Sequence, residues 1–294
     1  MRVLISGYSG LVGTELSKQL RELGHEPVAL VRRTAIQDNE VSWNPGVEAL
    51  DDKLMESIDA VVNLGGATTG RIPWTKKYMQ TIISSRLDST KTLVDAINRA
   101  KNQPRVLISG SASGIYGNRG DEILNEDSGR GSGFLADLAS QWEAEAAKAD
   151  TRVVYARTTM VMSKKLGALG RLLPLIKAGI GGPLGSGQQW WAWISLEDEA
   201  RAIIHLINDE QASGPYNLTA PEPATCEQIV KSLGKALKRP TFLRVPAWAM
   251  RLLVGVAAEE LLLCSQKMSA NKLLDSGFKF NHPTLEKSVA YVVG

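Results

Sequence analysis

Short apolar runs alternate along the chain with stretches in which apolar residues recur every three or four positions. The first run, Val3–Ser6, is typical of a strand that is buried on both faces. The next stretch places Val12, Leu16 and Leu20 on one stripe, which predicts an amphipathic helix. Strand and helix patterns then follow one another as far as Leu218. This order predicts an α/β fold with a doubly wound parallel sheet.

The same patterns predict the remaining elements. Further strands are predicted at Val28–Val31, from Asp59 into the turn Asn63–Ala67, at Arg105–Ser109, at Val153–Arg157 and at Tyr216–Leu218. Further helices are predicted at Lys76–Arg99, Leu135–Lys148, Ala168–Ala178 and Glu197–Ile207. The polar segment Asn39–Ser57 predicts a short or irregular crossover. We therefore predict a Rossmann domain over residues 1–222 and a small C-terminal α/β substrate lobe over 223–294, with residues 165–192 contributing to the lobe.

The composition is that of an ordinary globular protein, with 44% hydrophobic and 22% charged residues among 294 and a net charge of +3. That charge, without a basic cluster, favours neither nucleic acid nor a membrane as a partner. The chain has two widely separated cysteines and three histidines, a composition that favours neither a disulfide framework nor a metal site. No signal peptide and no membrane-length apolar run is recognised, so a cytoplasmic protein is expected.

Three glycines lie between the first strand and the first helix. Gly7 permits a tight turn, Gly10 lets the backbone approach a pyrophosphate, and Gly13 lets the helix pack close to the sheet. The phosphates then lie at the helix N-terminus, where free N–H groups favour anions. The alternative is a glycine-rich turn that binds nothing. The position of the motif between a strand and a helix favours dinucleotide binding.

The end of the second predicted strand indicates which dinucleotide is bound. NAD-specific folds place an acid there for the ribose 2′-hydroxyl. This chain instead has Arg32 and Arg33, and no acid comes before Asp38. Two guanidinium groups suit a 2′-phosphate, so NADP is the predicted cofactor. The alternative is a pair of solvated surface arginines.

Two further loops follow predicted strands and therefore lie at the same edge of the sheet. Leu64, Gly65 and Gly66 form a turn against which the adenosine and pyrophosphate can lie, unless it is only a tight turn at the edge of the sheet. Ser111 and Tyr116 belong to a hydroxyl-rich segment beyond the strand Arg105–Ser109. Ligands bind at this edge of parallel sheets, so the Ser111 hydroxyl is a candidate to donate to a substrate oxygen, unless it only satisfies backbone groups in the turn.

These motifs together resemble the extended short-chain dehydrogenase/reductase superfamily over essentially the whole chain. The glycine motif, the turn Asn63–Ala67, the segment Ser109–Gly117 and the run Trp193–Ile203 match in order. The chain is similar in particular to an atypical branch of this superfamily, the YfcH-like epimerase family with its C-terminal domain of unknown function. The positions that carry this similarity are Arg86, Trp142, the segment 181–187 and the C-terminal stretch Leu243–Leu253. The resemblance implies an NADP-binding Rossmann fold and a small-molecule substrate such as a carbonyl compound or a sugar nucleotide.

The family pattern also implies individual cofactor contacts. Carried over position by position, these are Tyr8, Ser9, Gly10, Leu11, Val12, Arg32, Leu64, Gly65, Arg86 and Val161. Arg86 stands where ordinary members have asparagine. In many relatives the helices that correspond to Lys76–Arg99 and Leu135–Lys148 pair across a two-fold axis, so a homodimer is expected.

The chain departs from the family at the catalytic pair. Ordinary members carry Tyr-x-x-x-Lys on the helix that corresponds to Leu135–Lys148, but here the two positions are Leu135 and Ala139. Only the upstream Ser111 is retained. Two hypotheses remain: an NADP-dependent oxidoreductase or epimerase in which Ser111 binds the substrate and Tyr116 or a water supplies the proton, or a non-catalytic NADP(H)-binding sensor.

Overall fold

The structure, a computed structural model, describes residues 1–164 and 168–294. Its strands are β1 (Arg2–Ser6), β2 (Glu26–Val31), β3 (Glu40–Ser42), β4 (Ala60–Asn63), β5 (Val106–Ala112), β6 (Ile123–Leu124), β7 (Arg152–Thr158), β8 (Met160–Met162), β9 (Trp193–Ser195), β10 (Gly214–Leu218) and β11 (Lys267–Met268). Its α-helices are α1 (Leu11–Glu22), α2 (Asp52–Glu56), α3 (Lys76–Arg99), α4 (Phe134–Ala146), α5 (Ala168–Lys177), α6 (Leu196–Asn208), α7 (Cys226–Ala236), α8 (Ala247–Val254), α9 (Asn271–Asp275) and α10 (Leu285–Val293).

Within these residues, seven parallel strands form one sheet in the order β3-β2-β1-β4-β5-β7-β10. The predicted doubly wound α/β fold is therefore confirmed. The polar segment predicted as a short or irregular crossover contains an edge strand that the pattern did not predict, the three-residue β3 paired with β2, followed by the five-residue α2. The pairs β8–β9 and β6–β11, which have two or three residues each, are too short for a periodicity to predict.

Alternating side chains of the central strands pack on two different helix layers. Val3 and Ile5 of β1 belong to a core cluster with Leu16 of α1 and Ile203 of α6. Leu4, which points to the other face, belongs to a second cluster that also contains Leu93 of α3 and Ala146 of α4. A strand covered on both faces has to be largely apolar, which explains the continuous run from Val3 to Ile5.

The C-terminal part of the chain packs in three places. Helices α5, α7 and α10 share a cluster with Trp191 and Trp193. Helix α8 packs against the N-terminal parts of α3 and α4 through Met250 and Val254. Leu273 and Phe278, by contrast, join the core of the main sheet. The division at residue 222 remains a prediction, and the first three residues of the predicted segment 165–192 lie outside the described residues.

Candidate functional site

The strand order changes direction between β1 and β4. Strands β2 and β3 follow β1 towards one edge of the sheet, and β4, β5, β7 and β10 then follow one another towards the other edge. Strand β1 pairs with β2 on one side and with β4 on the other, and all three run parallel. The loops that follow β1 and β4 therefore leave the same edge in opposite directions and create a crevice. Such a switch point is where open α/β sheets bind their ligands.

The glycines after β1 meet the turn after β4 in very close contact. Gly7 has a φ of +72°, and a Cβ at this position would lie 2.6 Å from the carbonyl oxygen of Leu64. A Cβ at Gly13 would lie 2.3 Å from the carbonyl oxygen of Gly7. Only glycine fits at either position, so the sequence argument for a close backbone approach is supported by the local geometry.

Helix α1 presents its free amides at this crevice. Its first internal hydrogen bond runs from the Thr14 N–H to the Gly10 carbonyl at 2.9 Å. The N–H groups of Leu11, Val12 and Gly13 precede that bond and are the unpaired donors of the helix start. Gly10, the N-cap residue, has no side chain with which to cap them. This helix end is therefore suited to a phosphate ligand.

Two buried polar residues that the sequence reasoning did not single out join the two loops. The Ser6 hydroxyl donates to the Asn63 Oδ1 at 2.5 Å and accepts from the Gly65 N–H at 3.0 Å. The Asn63 amide donates in turn to the Thr90 hydroxyl at 2.9 Å. These bonds hold the turn Leu64–Gly66 against β1. Two polar residues ending strands that are otherwise apolar are the sequence signal for such a link.

Four partly buried members of the predicted contact set lie on one part of the core. Tyr8, Val12, Leu64 and Val161 all pack against the cluster that contains β1 and α6. Ser9, Gly10 and Gly66 are exposed. The Tyr8 hydroxyl accepts a hydrogen bond from Arg21, and this fixes the ring beside α1.

The two arginines after β2 lie in different environments. Arg33 donates to both carboxylate oxygens of Glu40, at 2.6 and 2.8 Å. These hydrogen bonds lower the pKa of Glu40 to about 2. Arg32 is exposed, and its side chain has no hydrogen bond or ion pair within the described residues. The free guanidinium at the end of β2 is therefore that of Arg32, while Arg33 is neutralised by an acid that lies beyond Asp38.

Arg86 lies beneath the turn after β4. Its guanidinium donates to the carbonyls of Ala67, at 3.0 Å, and Ile82, at 3.1 Å, and its Cζ lies 5.2 Å from the centre of the Trp142 ring. Burial lowers the pKa of Arg86 to about 10, so it remains charged at neutral pH. No acidic side chain pairs with it in the described part of the chain. A largely desolvated cation without an acid beside the crevice is a natural partner for an anionic ligand.

Ser111 belongs to a polar network under the substrate side of the sheet. Its hydroxyl donates to Glu143 Oε1 at 2.6 Å. Arg157 holds the same carboxylate in a two-pronged ion pair, from Nε at 2.9 Å and from Nη2 at 3.0 Å. Both charged side chains are nearly buried. Sequence reasoning named Ser111 but not this ion pair, whose members are 14 residues apart on different elements.

Tyr116 lies in the same network and is fully buried. Its hydroxyl donates to Asn217 at 2.7 Å and accepts from Arg157 at 2.8 Å. Burial raises the pKa of Tyr116, and the nearby charge of Arg157 only partly offsets the rise. Arg157 is therefore the cation beside this phenol, whereas Arg86 lies beneath the turn after β4. To give a proton to a substrate, the hydroxyl would have to leave both partners, so a catalytic role for Tyr116 remains a prediction that the local geometry disfavours.

The positions of the missing catalytic pair are filled with apolar side chains. Leu135 and Ala139 are both buried on α4. Glu260 from the C-terminal region caps this helix by accepting the N–H of Phe134 at 3.0 Å and the N–H of Leu135 at 3.1 Å. The start of α4, where the family pattern places the catalytic pair, is therefore a contact with the C-terminal region here. Among the described residues, no group of side chains is arranged to hold a metal ion.

The switch-point crevice, the glycine contacts and the free amides of α1 define a dinucleotide-binding Rossmann protein. The chain belongs to the NAD dependent epimerase/dehydratase family, whose model matches residues 3–219. A second model, a domain of unknown function (DUF1731), matches residues 245–292. Both matches confirm the family recognised in the sequence, including its atypical C-terminal domain.

Individual relatives agree with this assignment. The chain is 38% identical over 292 residues to the epimerase family protein ML0860 of Mycobacterium leprae, and the match covers 98% of this chain and 94% of that protein. The crystal structure of human epimerase family protein SDR39U1 (isoform 2) with NADPH has a TM-score of 0.93 and 29% identity, with 99% of each chain covered. A nucleoside-diphosphate sugar epimerase from Corynebacterium glutamicum has a TM-score of 0.80 and 30% identity, with 100% of this chain and 58% of that one covered. The NADPH of the human structure agrees with the predicted cofactor.

Proposed function

We propose that this protein is an NADP(H)-dependent oxidoreductase or epimerase that acts on a small carbonyl compound or a sugar nucleotide without a Tyr-Lys pair. The observation that carries the proposal is the free guanidinium of Arg32 at the end of β2, next to an intact glycine turn. The NADPH bound to the human relative supports the cofactor, and the name of the Corynebacterium relative supports a sugar nucleotide as the substrate class.

The residues of the crevice fit NADP. The amides of Leu11–Gly13 are available for a pyrophosphate, and the close contacts of Gly7 and Gly13 leave room for backbone but not for side chains. Arg32 supplies a charge for the 2′-phosphate, and Arg86 supplies a second charge beside the turn Leu64–Gly66. When bound, NADP supplies a hydride donor or acceptor. The chain's own residues have to bind the cofactor, orient the substrate and provide the proton.

Ser111 is the residue proposed to orient the substrate. It is the next-to-last residue of β5, at the carboxyl edge of the sheet, and its hydroxyl is held by Glu143. A hydroxyl donor at such a position stabilises negative charge on a substrate oxygen. To do so here, Ser111 has to rotate its hydroxyl away from the carboxylate, which keeps its two bonds to Arg157.

The burial of Tyr116 and the apolar Leu135 and Ala139 support a second candidate function, a non-catalytic NADP(H) sensor. In that case the cofactor is bound but not consumed. The contact between Glu260 and the start of α4 offers a route by which the C-terminal region responds to the cofactor. Oxidation of NADPH with a panel of carbonyl compounds and sugar nucleotides separates the two candidates. Tight NADPH binding without turnover across the whole panel would favour the sensor.

Replacing Arg32 with alanine is expected to weaken NADPH binding by about tenfold or more, because one charge-assisted contact to the 2′-phosphate contributes about 1.5–3 kcal/mol. NADH affinity should not change, since NADH lacks that phosphate. Titration calorimetry with both cofactors measures the effect.

The matched control is the double variant Arg33→Gln, Glu40→Gln, which removes the neighbouring arginine together with its acid. It should change NADPH affinity by less than about threefold. If Arg32→Ala weakened NADH and NADPH equally, or if the double variant had the larger effect, the assignment of Arg32 would be incorrect.

Replacing Ser111 with alanine is expected to leave NADPH affinity unchanged and to lower turnover at least tenfold, about 1.4 kcal/mol of activation free energy. Steady-state kinetics on the substrate that emerges from the panel measures the effect. Ser213→Ala, a change at an exposed serine, is the control. Full activity of the Ser111 variant would remove this residue from the mechanism.

A further inference from the structure

Helix α8 turns large apolar side chains outward. Met250 and Val254 are buried against the neighbouring helices, whereas Trp248 and Leu252, one turn apart, are 67% and 79% exposed. Leu253 beside them is exposed as well. The inner face already packs the helix onto the protein, so the outer face adds nothing to its folding. Exposed apolar side chains clustered in this way indicate a contact outside the chain.

This surface continues into the segment before α8. Phe242 is 75% exposed. The chain there runs against residues 179–185, since the Val245 N–H donates to the Pro183 carbonyl at 3.0 Å and a Cβ at Gly182 would lie 2.0 Å from the Leu243 carbonyl oxygen. The exposed Ile180 lies in that neighbouring segment. We call the whole surface the apolar face, and it consists of Ile180, Phe242, Leu243, Trp248, Leu252 and Leu253.

The chain that forms most of the apolar face carries a local excess of positive charge. Residues 228–258 contain no acid and six cations, which are Lys231, Lys235, Lys238, Arg239, Arg244 and Arg251. Lys231 and Arg244 pair with Glu227, and Arg251 pairs with Glu259. The other three are exposed and have no side-chain partner in the described ranges. The net charge of +3 over the whole chain hides this local excess.

We infer that the apolar face docks this protein on an anionic phospholipid surface. Tryptophan, phenylalanine and leucine are the side chains that enter the membrane interface, and lysine and arginine beside them bind anionic headgroups. A second copy of the chain fits less well, because the same unpaired cations would face each other. No helix in the described part of the chain is long and apolar enough to cross a bilayer, so the contact is with the surface. The inference departs from the expectation that a membrane is not a partner.

Flotation of the full chain with vesicles tests this inference. Vesicles that contain phosphatidylglycerol should bind at least about tenfold more tightly than vesicles of pure phosphatidylcholine, and salt should weaken the binding. Trp248 also reports on docking. It is 67% exposed, whereas five of the other six tryptophans are at most 8% exposed, so its emission should shift to the blue on binding.

Three variants make the test specific. The double change Trp248→Ser, Leu252→Ser should lower binding to the phosphatidylglycerol vesicles about tenfold or more and remove the blue shift. The triple change Lys235→Gln, Lys238→Gln, Arg239→Gln should remove most of the salt dependence. Val47→Ser, at an exposed apolar residue elsewhere on the surface, should bind like the unmodified protein.

Three results would overturn the inference. The first is equal binding to both kinds of vesicle, and the second is unchanged binding by the Trp248, Leu252 double variant. The third is a dimer in sedimentation that this variant converts to a monomer, since the apolar face would then join two copies of the chain. Circular dichroism and NADPH affinity, which the double change should not alter, establish that the variant is folded.

Discussion

Replacing Arg157 with methionine should lower the free energy of unfolding by about 3–5 kcal/mol, the range for breaking a buried ion pair. Burial disfavours the charged form of Arg157, but its hydrogen bonds to Glu143 and to Tyr116 raise the pKa above the ordinary arginine value. Without the guanidinium, the Glu143 carboxylate keeps, among residues 1–164 and 168–294, only the Ser111 hydroxyl as a partner. The Tyr116 hydroxyl also loses its donor. A nearly buried carboxylate is thus left without a countercharge.

Denaturant unfolding of a double-mutant cycle with Glu143→Leu measures this effect. The double variant should be more stable than the sum of the two single losses predicts, because it removes both charges together. Arg99→Met is the control, since its pair with Asp52 is exposed on both sides and contributes less than about 1 kcal/mol. Strict additivity in the cycle would show that Arg157 and Glu143 do not depend on each other.

Replacing Glu199 with glutamine should remove a pH-dependent loss of stability that amounts to about 3 kcal/mol at pH 7. Glu199 is fully buried, its Oε1 accepts one hydrogen bond from Thr158, and its Oε2 has no hydrogen-bond partner among the described residues. Burial raises its pKa to about 8 from an ordinary 4.5. The folded chain therefore retains a proton that the unfolded chain releases above pH 4.5, so stability falls as the pH rises from 4.5 to about 8. Glutamine keeps the acceptor for Thr158 and has no proton to lose.

Unfolding curves at a series of pH values check this prediction. The stability of the unmodified protein relative to Glu199→Gln should fall as the pH rises from about 4.5 and should become constant above about pH 8. Glu48→Gln, a change at an exposed glutamate, should follow the unmodified protein throughout. A constant difference between the Glu199 variant and the unmodified protein at every pH would mean that Glu199 ionises normally in the fold.

Much of the fold and one half of the site can be read from the sequence because they depend on neighbours along the chain. A strand covered on both faces is apolar over most of its length, so β1 and β5 are visible as the apolar runs Val3–Ile5 and Val106–Ile108. A glycine that meets backbone at 2.3 Å cannot be another residue, and this makes the motif around Gly13 visible as well. The family, the doubly wound sheet and the NADP cofactor were all predicted from such local features.

Tertiary structure alone decided what the charged and polar groups do. Arg32 and Arg33 are equivalent in sequence, and only the position of Glu40 on β3 leaves one guanidinium free and neutralises the other. Ser111 and Tyr116 are recognisable as hydroxyls, but the fold places Arg157 and Glu143 beside them. Charge pairing and burial depend on groups that are brought together from distant parts of the chain, whereas periodicity records only which face of an element is apolar. The role of a charged or polar side chain can therefore be assigned only from the tertiary structure, whereas the strands and helices that hold it can be predicted from the sequence.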